Sequence, residues 1–130
     1  MKLIVEGETP AKKNSKIRTR TGCMIPSKQY QAWHESAMLQ IRAMTIGHEA
    51  IGYPVSVSLS FFHGDLRRRD SDNGTSSILD TLVDAGVLKD DKWEIVRILN
   101  VYNYYDKGHA RCEIEIHQLE TTIEAGRESA

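Results

Sequence analysis

Val55, Val57, Leu59 and Phe61 alternate with Ser56, Ser58 and Ser60, and this run limits the fold more tightly than any other segment. A period of two marks a strand with one apolar and one polar face, and β-branched and aromatic side chains suit its buried side. Such a face needs a partner. Apolar stripes at helical spacing lie on both sides of it: Tyr30, Trp33, Ala37, Met38, Ile41 and Met44 before, and Ile78, Leu79, Leu82 and Val83 after. The strand then runs into a concentrated charge cluster, Asp65-Leu66-Arg67-Arg68-Arg69-Asp70-Ser71-Asp72-Asn73.

The remaining elements follow from caps and breakers. Leu3 and Val5 begin a short first strand, and Pro10 to Pro26 reads as a long, polar, basic loop. Ser27 is placed to cap the first helix, Asp72 or Asn73 the second, and Gly86 supplies the second helix's stop. Trp93 to Tyr104 and His109 to His117 are predicted to form a hairpin through Asp106-Lys107-Gly108, with Ala110, Cys112, Ile114 and Ile116 facing inward. The expected order is therefore β-α-β-α-β-β, an α+β fold with a mixed sheet packed against two helices. A chain of 130 residues is about one domain. Residues 1–119 form it, and the polar, acidic stretch 120–130 is expected to be a flexible tail.

Net charge is −1, which by itself argues against a nucleic-acid partner, but the charge is unevenly distributed. Ala11 to Tyr30 holds six basic residues and no acidic one, whereas Glu113 to the end carries five glutamates against one arginine. Local field rather than net charge attracts a phosphate backbone. Cys23 and Cys112 are far apart in dissimilar contexts and are expected to be free thiols, and Cys112 with His109 lacks enough ligands for zinc. No apolar run reaches membrane-spanning length, and Met1 to Glu6 is too short for a signal peptide, so a cytoplasmic protein without membrane contact is expected.

The charge cluster carries the chemistry. If Ser71 is extended, Asp70 and Asp72 point to one side. Two carboxylates aimed at one point repel unless a hard cation lies between them, and oxygen-only ligands favour Mg²⁺, with Mn²⁺ as a substitute. Arg67, Arg68 and Arg69 beside them are suited to neutralise phosphates. Carboxylates that hold metal next to guanidinium groups that hold a phosphodiester describe metal-assisted phosphoryl transfer. A calcium-binding EF-hand fails on register: from Asp70, Gly74 falls at position five instead of six, and no glutamate falls at twelve. Asp90-Asp91 could join this cluster only if the following strand pairs with the Val55 to Phe62 strand; otherwise it is an acidic turn.

The string Asp65 to Asn73, followed by Leu79-Asp80-Thr81-Leu82-Val83-Asp84-Ala85-Gly86-Val87-Leu88-Lys89-Asp90-Asp91, resembles the RusA-type Holliday junction resolvases. Pro10-Ala11-Lys12-Lys13-Asn14 is similar to that family's proline-and-asparagine loop. The resemblance implies a Mg²⁺-dependent homodimer that cuts four-way DNA junctions in recombination and repair. It makes Asp70, Asp72 and Asp91 the metal-binding catalytic acids. Lys12, Lys13, Asn14, Lys16, Arg18, Arg20 and the arginine triplet are the DNA contacts expected of this chain. One position departs from the family: its usual lysine, one turn after the second aspartate, is Ser76 here. Lys89 or Lys92 could compensate. The rival expectation is a junction or branched-DNA binding module whose cleavage is weak or lost with that lysine.

Overall fold

A computed structural model describes residues 1–11 and 16–120, with Lys16 described in its backbone alone. The elements run β1 (Lys2–Glu6), β2 (Lys16–Arg18), β3 (Met24–Pro26), α1 (Lys28–Met44), β4 (Val55–His63), α2 (Thr75–Asp84), β5 (Val96–Tyr105) and β6 (Arg111–Gln118). The fold is α+β with a mixed sheet, as the patterning predicts. The stretch expected to be a plain basic loop instead contains a small hairpin, in which Lys16 pairs with Pro26 and Arg18 with Met24. Its turn is closed by Thr19 and Gly22, and Gly22 has φ +84°, a conformation that favours glycine.

The main sheet has the order β1-β6-β4-β5. β4 lies antiparallel to β6 and parallel to β5, so the predicted hairpin between the last two strands does not form. β4 has come between them. The connection passes over its end, where Asp106 N–H donates to the His63 carbonyl and Gly108 N–H to that of Gly64. The physical reason is burial, since Val55, Val57, Leu59 and Phe61 all lie within the core. An interior place in the sheet satisfies both backbone edges of that strand while its apolar face is covered.

Both helices contribute to one core. Ala37 and Ile41 of α1 join Ile78 and Leu82 of α2 and the inward residues Leu3, Val5, Val57, Leu59, Cys112, Ile114 and Ile116. Complete burial of Leu82 alone stabilises the fold by roughly 2–3 kcal/mol. α1 begins as expected, because the Ser27 hydroxyl accepts from Tyr30 N–H at 3.1 Å. α2 does not: its N-cap is Gly74, without a side-chain cap. A Cβ at Gly74 would lie 2.7 Å from Thr9 Cγ2 and 2.8 Å from Phe61 Cε1. Glycine lets the helix start press against the end of β4. At the other end Gly86, with φ +79°, closes the helix, and Val87 N–H donates to the Leu82 carbonyl. Cys23 is exposed, Cys112 is buried, and both are free thiols; burial pushes the Cys112 thiol up. Among the described residues no helix is long and apolar enough to cross a membrane.

Candidate active site

The segment from Gly64 to Gly74 joins the end of β4 to the start of α2, so the Arg/Asp cluster lies at the sheet end where β4 and β5 both finish. Ser71 is not extended. Asn73 N–H donates to the Asp70 carbonyl at 3.2 Å and Thr75 N–H to that of Asp72 at 3.1 Å, so Asp70 to Thr75 forms successive turns. Strand alternation therefore does not set the directions of Asp70 and Asp72; the turn does. Both are exposed, and neither carboxylate makes an ion pair among the described residues. Two hard oxygen donors on one tight turn suit a divalent cation, yet the described residues hold no group of three acidic, histidine or cysteine side chains able to bind one. Mg²⁺ is held by as few as one or two carboxylates, with water completing its shell, so a third protein donor would add to this pair.

Asp91 is not beside them in the same protomer. The following strand does pair with β4, but in parallel, with Val55 opposite Val96 and His63 opposite Tyr105. Asp91 precedes the start of β5, in a segment where Lys89 N–H donates to the Ile51 carbonyl. Ser71 instead lies against Asn103, near the other end of that strand. The span from Val96 to Asn103 is roughly 23 Å at about 3.3 Å per residue. The Asp90 carboxyl is held low, chiefly by the Asp91 N–H and then by Lys92. Ser76 is exposed in the first turn of α2, at the Asp70 and Asp72 end. Lys89 packs near Gly52 and Lys92 pairs with Asp90 at 3.6 Å; both lie at the opposite end and cannot replace a lysine at position 76 within one protomer.

The arginine triplet divides. Arg67 and Arg68 are exposed and their side chains make no ion pair among the described residues. Arg69 is a clamp. Its guanidinium meets Asp65 at 2.9 Å and Glu8 at 3.1 Å and donates to the Arg67 carbonyl at 3.0 Å. The Asp65 carboxyl is held below the usual range, first by Arg67 N–H and then by Arg69. His63, Asp65, Arg67, Arg69, Asp70 and Asn103 help line an open groove of about 380 Å³ beside this cluster. Of the other basic residues, Arg18 and Arg20 are exposed on the small hairpin. Lys12, Lys13 and Asn14 lie outside the described residues, as does the Lys16 side chain.

Sequence reasoning missed two residues at this site. Glu8 binds the His63 ring, and Asn103 joins His63 to the Ser71 carbonyl. Asn103 had a signal: it follows Leu99 and Val101 on the same side of β5, where another apolar residue is the ordinary choice. Glu8 had none, because its partner is 55 positions away.

The family model described as Endodeoxyribonuclease RusA matches residues 6–117. The chain belongs to the RusA endodeoxyribonuclease family. It is 32% identical over 110 residues, covering 85% of each chain, to the Crossover junction endodeoxyribonuclease RusA of Aquifex aeolicus (strain VF5). The matched region contains β4 and β5, all of β6 but its last residue, both helices and the Arg/Asp cluster, and it takes in β1 only at Glu6. The RusA resemblance found in the charge cluster thus extends across nearly the whole domain.

Proposed function

We propose that this protein is a divalent-metal-dependent endonuclease acting as a homodimer on four-way DNA junctions, with Mg²⁺ as its ion and Mn²⁺ as a substitute. The observation that carries this reading is the pair of exposed carboxylates Asp70 and Asp72, without an ion pair among the described residues, on a single turn beside the exposed Arg67 and Arg68. Asp70 and Asp72 would hold the ion, while Arg67 and Arg68 would bind the phosphate backbone, supported by Arg18, Arg20 and the basic residues Lys12, Lys13 and Lys16. When bound, the cation supplies charge neutralisation and polarisation at the scissile phosphate.

A dimer serves two purposes in this reading. Paired cuts in a junction need two symmetric sites. In addition, Asp91 can meet Asp70 and Asp72 only from a second protomer, since each chain holds them at opposite ends of β5. A second reading, a branched-DNA binding module with weak or lost cleavage, draws on Ser76, which brings no positive charge to the exposed first turn of α2.

Incubation of the protein with a labelled four-way junction, with and without Mg²⁺ or Mn²⁺, separates the two. Symmetric paired products that require metal and vanish in Asp72→Asn, while junction binding persists, support the nuclease. Tight binding without cleavage in either metal supports the binding module.

A further inference from the structure

Ser71 separates the two candidate metal-binding aspartates, and the orientation of its peptide helps determine where both carboxylates point. Among the described residues, one side chain bonds to the backbone of residues 70–72: Asn103 Nδ2 donates to the Ser71 carbonyl at 2.7 Å. A carbonyl oxygen can only accept, so this bond fixes the Asn103 amide with its NH₂ toward Ser71 and its Oδ1 toward His63.

The arrangement continues inward. Asn103 Oδ1 is an acceptor, so His63 Nε2 donates to it at 2.8 Å. The Glu8 carboxylate lies 2.9 Å from His63 Nδ1, and both ring nitrogens donate at once when the ring is the imidazolium. The other Glu8 oxygen accepts from Arg69 at 3.1 Å, and Arg69 also binds Asp65. His63 and Arg69 expose only 17% and 14% of their side chains, so the chain of bonds starts from firmly packed groups and ends on an exposed turn. Each link orients the next. The three elements involved are far apart in sequence, and their meeting at the Asp70–Asp72 turn supplies a constraint that the turn's own short hydrogen bonds do not.

We propose that Asn103, held by His63, is the positioning residue for the Asp70 and Asp72 pair. It fixes the peptide between them and so presets both carboxylates for a divalent cation. This inference rests on the metal-dependent nuclease reading. Partners that orient metal-binding groups without touching the metal typically contribute 10–100-fold to metal affinity or activity.

The test uses the full chain and three substitutions at position 103, with Mn²⁺ alone as the binding probe. Asn103→Ala removes both bonds, Asn103→Asp keeps an acceptor for His63 but cannot donate to Ser71, and Asn103→Gln keeps both kinds of group. Mn²⁺ binding is measured by solvent proton relaxation, and single-turnover cleavage of a four-way junction at saturating protein in parallel. Asn103→Ala and Asn103→Asp are expected to weaken Mn²⁺ binding by roughly 10-fold or more and to slow cleavage by a similar factor, with junction affinity and thermal midpoint unchanged and with partial rescue by Asn103→Gln. Wild-type Mn²⁺ affinity in both disabling variants overturns the proposal, as does a parallel loss of metal affinity, junction affinity and thermal midpoint. A wild-type protein that binds Mn²⁺ but cuts no junction overturns the nuclease reading alone, and the binding comparison still decides the role of Asn103. Absence of Mn²⁺ binding in the wild type overturns both.

Discussion

Mixing two inactive subunits should restore cleavage if the third acid is supplied across the dimer. Oxygen ligands lie about 2.0–2.6 Å from a hard divalent cation, so carboxylates sharing one ion approach within roughly 5 Å of each other. Roughly 23 Å of β5 separates the Asn103 end, where Ser71 is held, from the Asp91 end. No side-chain rotation closes that gap within one chain. In a two-fold dimer each site would combine Asp70 and Asp72 of one protomer with Asp91 of the other. A mixed dimer of Asp72→Asn and Asp91→Asn then has both lesions in one site and none in its mate. Random one-to-one assembly produces roughly half mixed dimers, and therefore roughly a quarter of the wild-type number of intact sites. The assay uses differently tagged subunits, purification of the mixed dimer and a four-way junction labelled on each strand in turn. Single nicks are expected in place of paired cuts, while both parental homodimers are inactive. A mixed dimer as inactive as its parents would refute the shared site, because lesions acting within one chain leave neither site intact.

Three further outcomes follow from particular contacts. Neutralising the exposed Arg67 and Arg68 together should lower the salt slope of junction binding by roughly two units, whereas Arg69→Ala should leave that slope unchanged and lower stability by ~1–2 kcal/mol through loss of the Glu8 and Asp65 clamp; salt titrations and chemical denaturation distinguish the two. Gly74→Ala forces a Cβ against Thr9 and Phe61, and should destabilise the fold by ~1–3 kcal/mol while slowing cleavage through displacement of the adjoining turn, as read by denaturation and single-turnover rates. The Glu113 carboxyl is held below its ordinary value of 4.5, first by its hydrogen bond from Arg111 and then by Lys2. Its contribution to stability is therefore fully present above that value and is lost as pH falls through the lower folded one. Glu113→Gln should flatten the acid limb of stability measured from about pH 6 to about pH 3, and an acid limb identical to wild type would remove Glu113 from this role.

Local chemistry determined much of the protein. The Val55 to Phe61 alternation specified a half-buried strand, Ser27 capped α1, and Gly86 ended α2, because these signals act over a few residues and need no distant partner. The Arg/Asp string also carried the family resemblance from the chain alone. Pairing partners were another matter. A short connection between two strand patterns favours a hairpin, yet β4 entered between β5 and β6 because burial of its apolar face and satisfaction of both its edges depend on the entire sheet. That same decision made β4 and β5 parallel and carried Asp91 away from Asp70 and Asp72. Tertiary structure alone also divided three identical arginines into one clamp and two exposed cations, since only folding brings Glu8 to Arg69. Sequence specifies which groups are available for chemistry, but their meeting depends on long-range packing, whose free energy is not contained in any one segment.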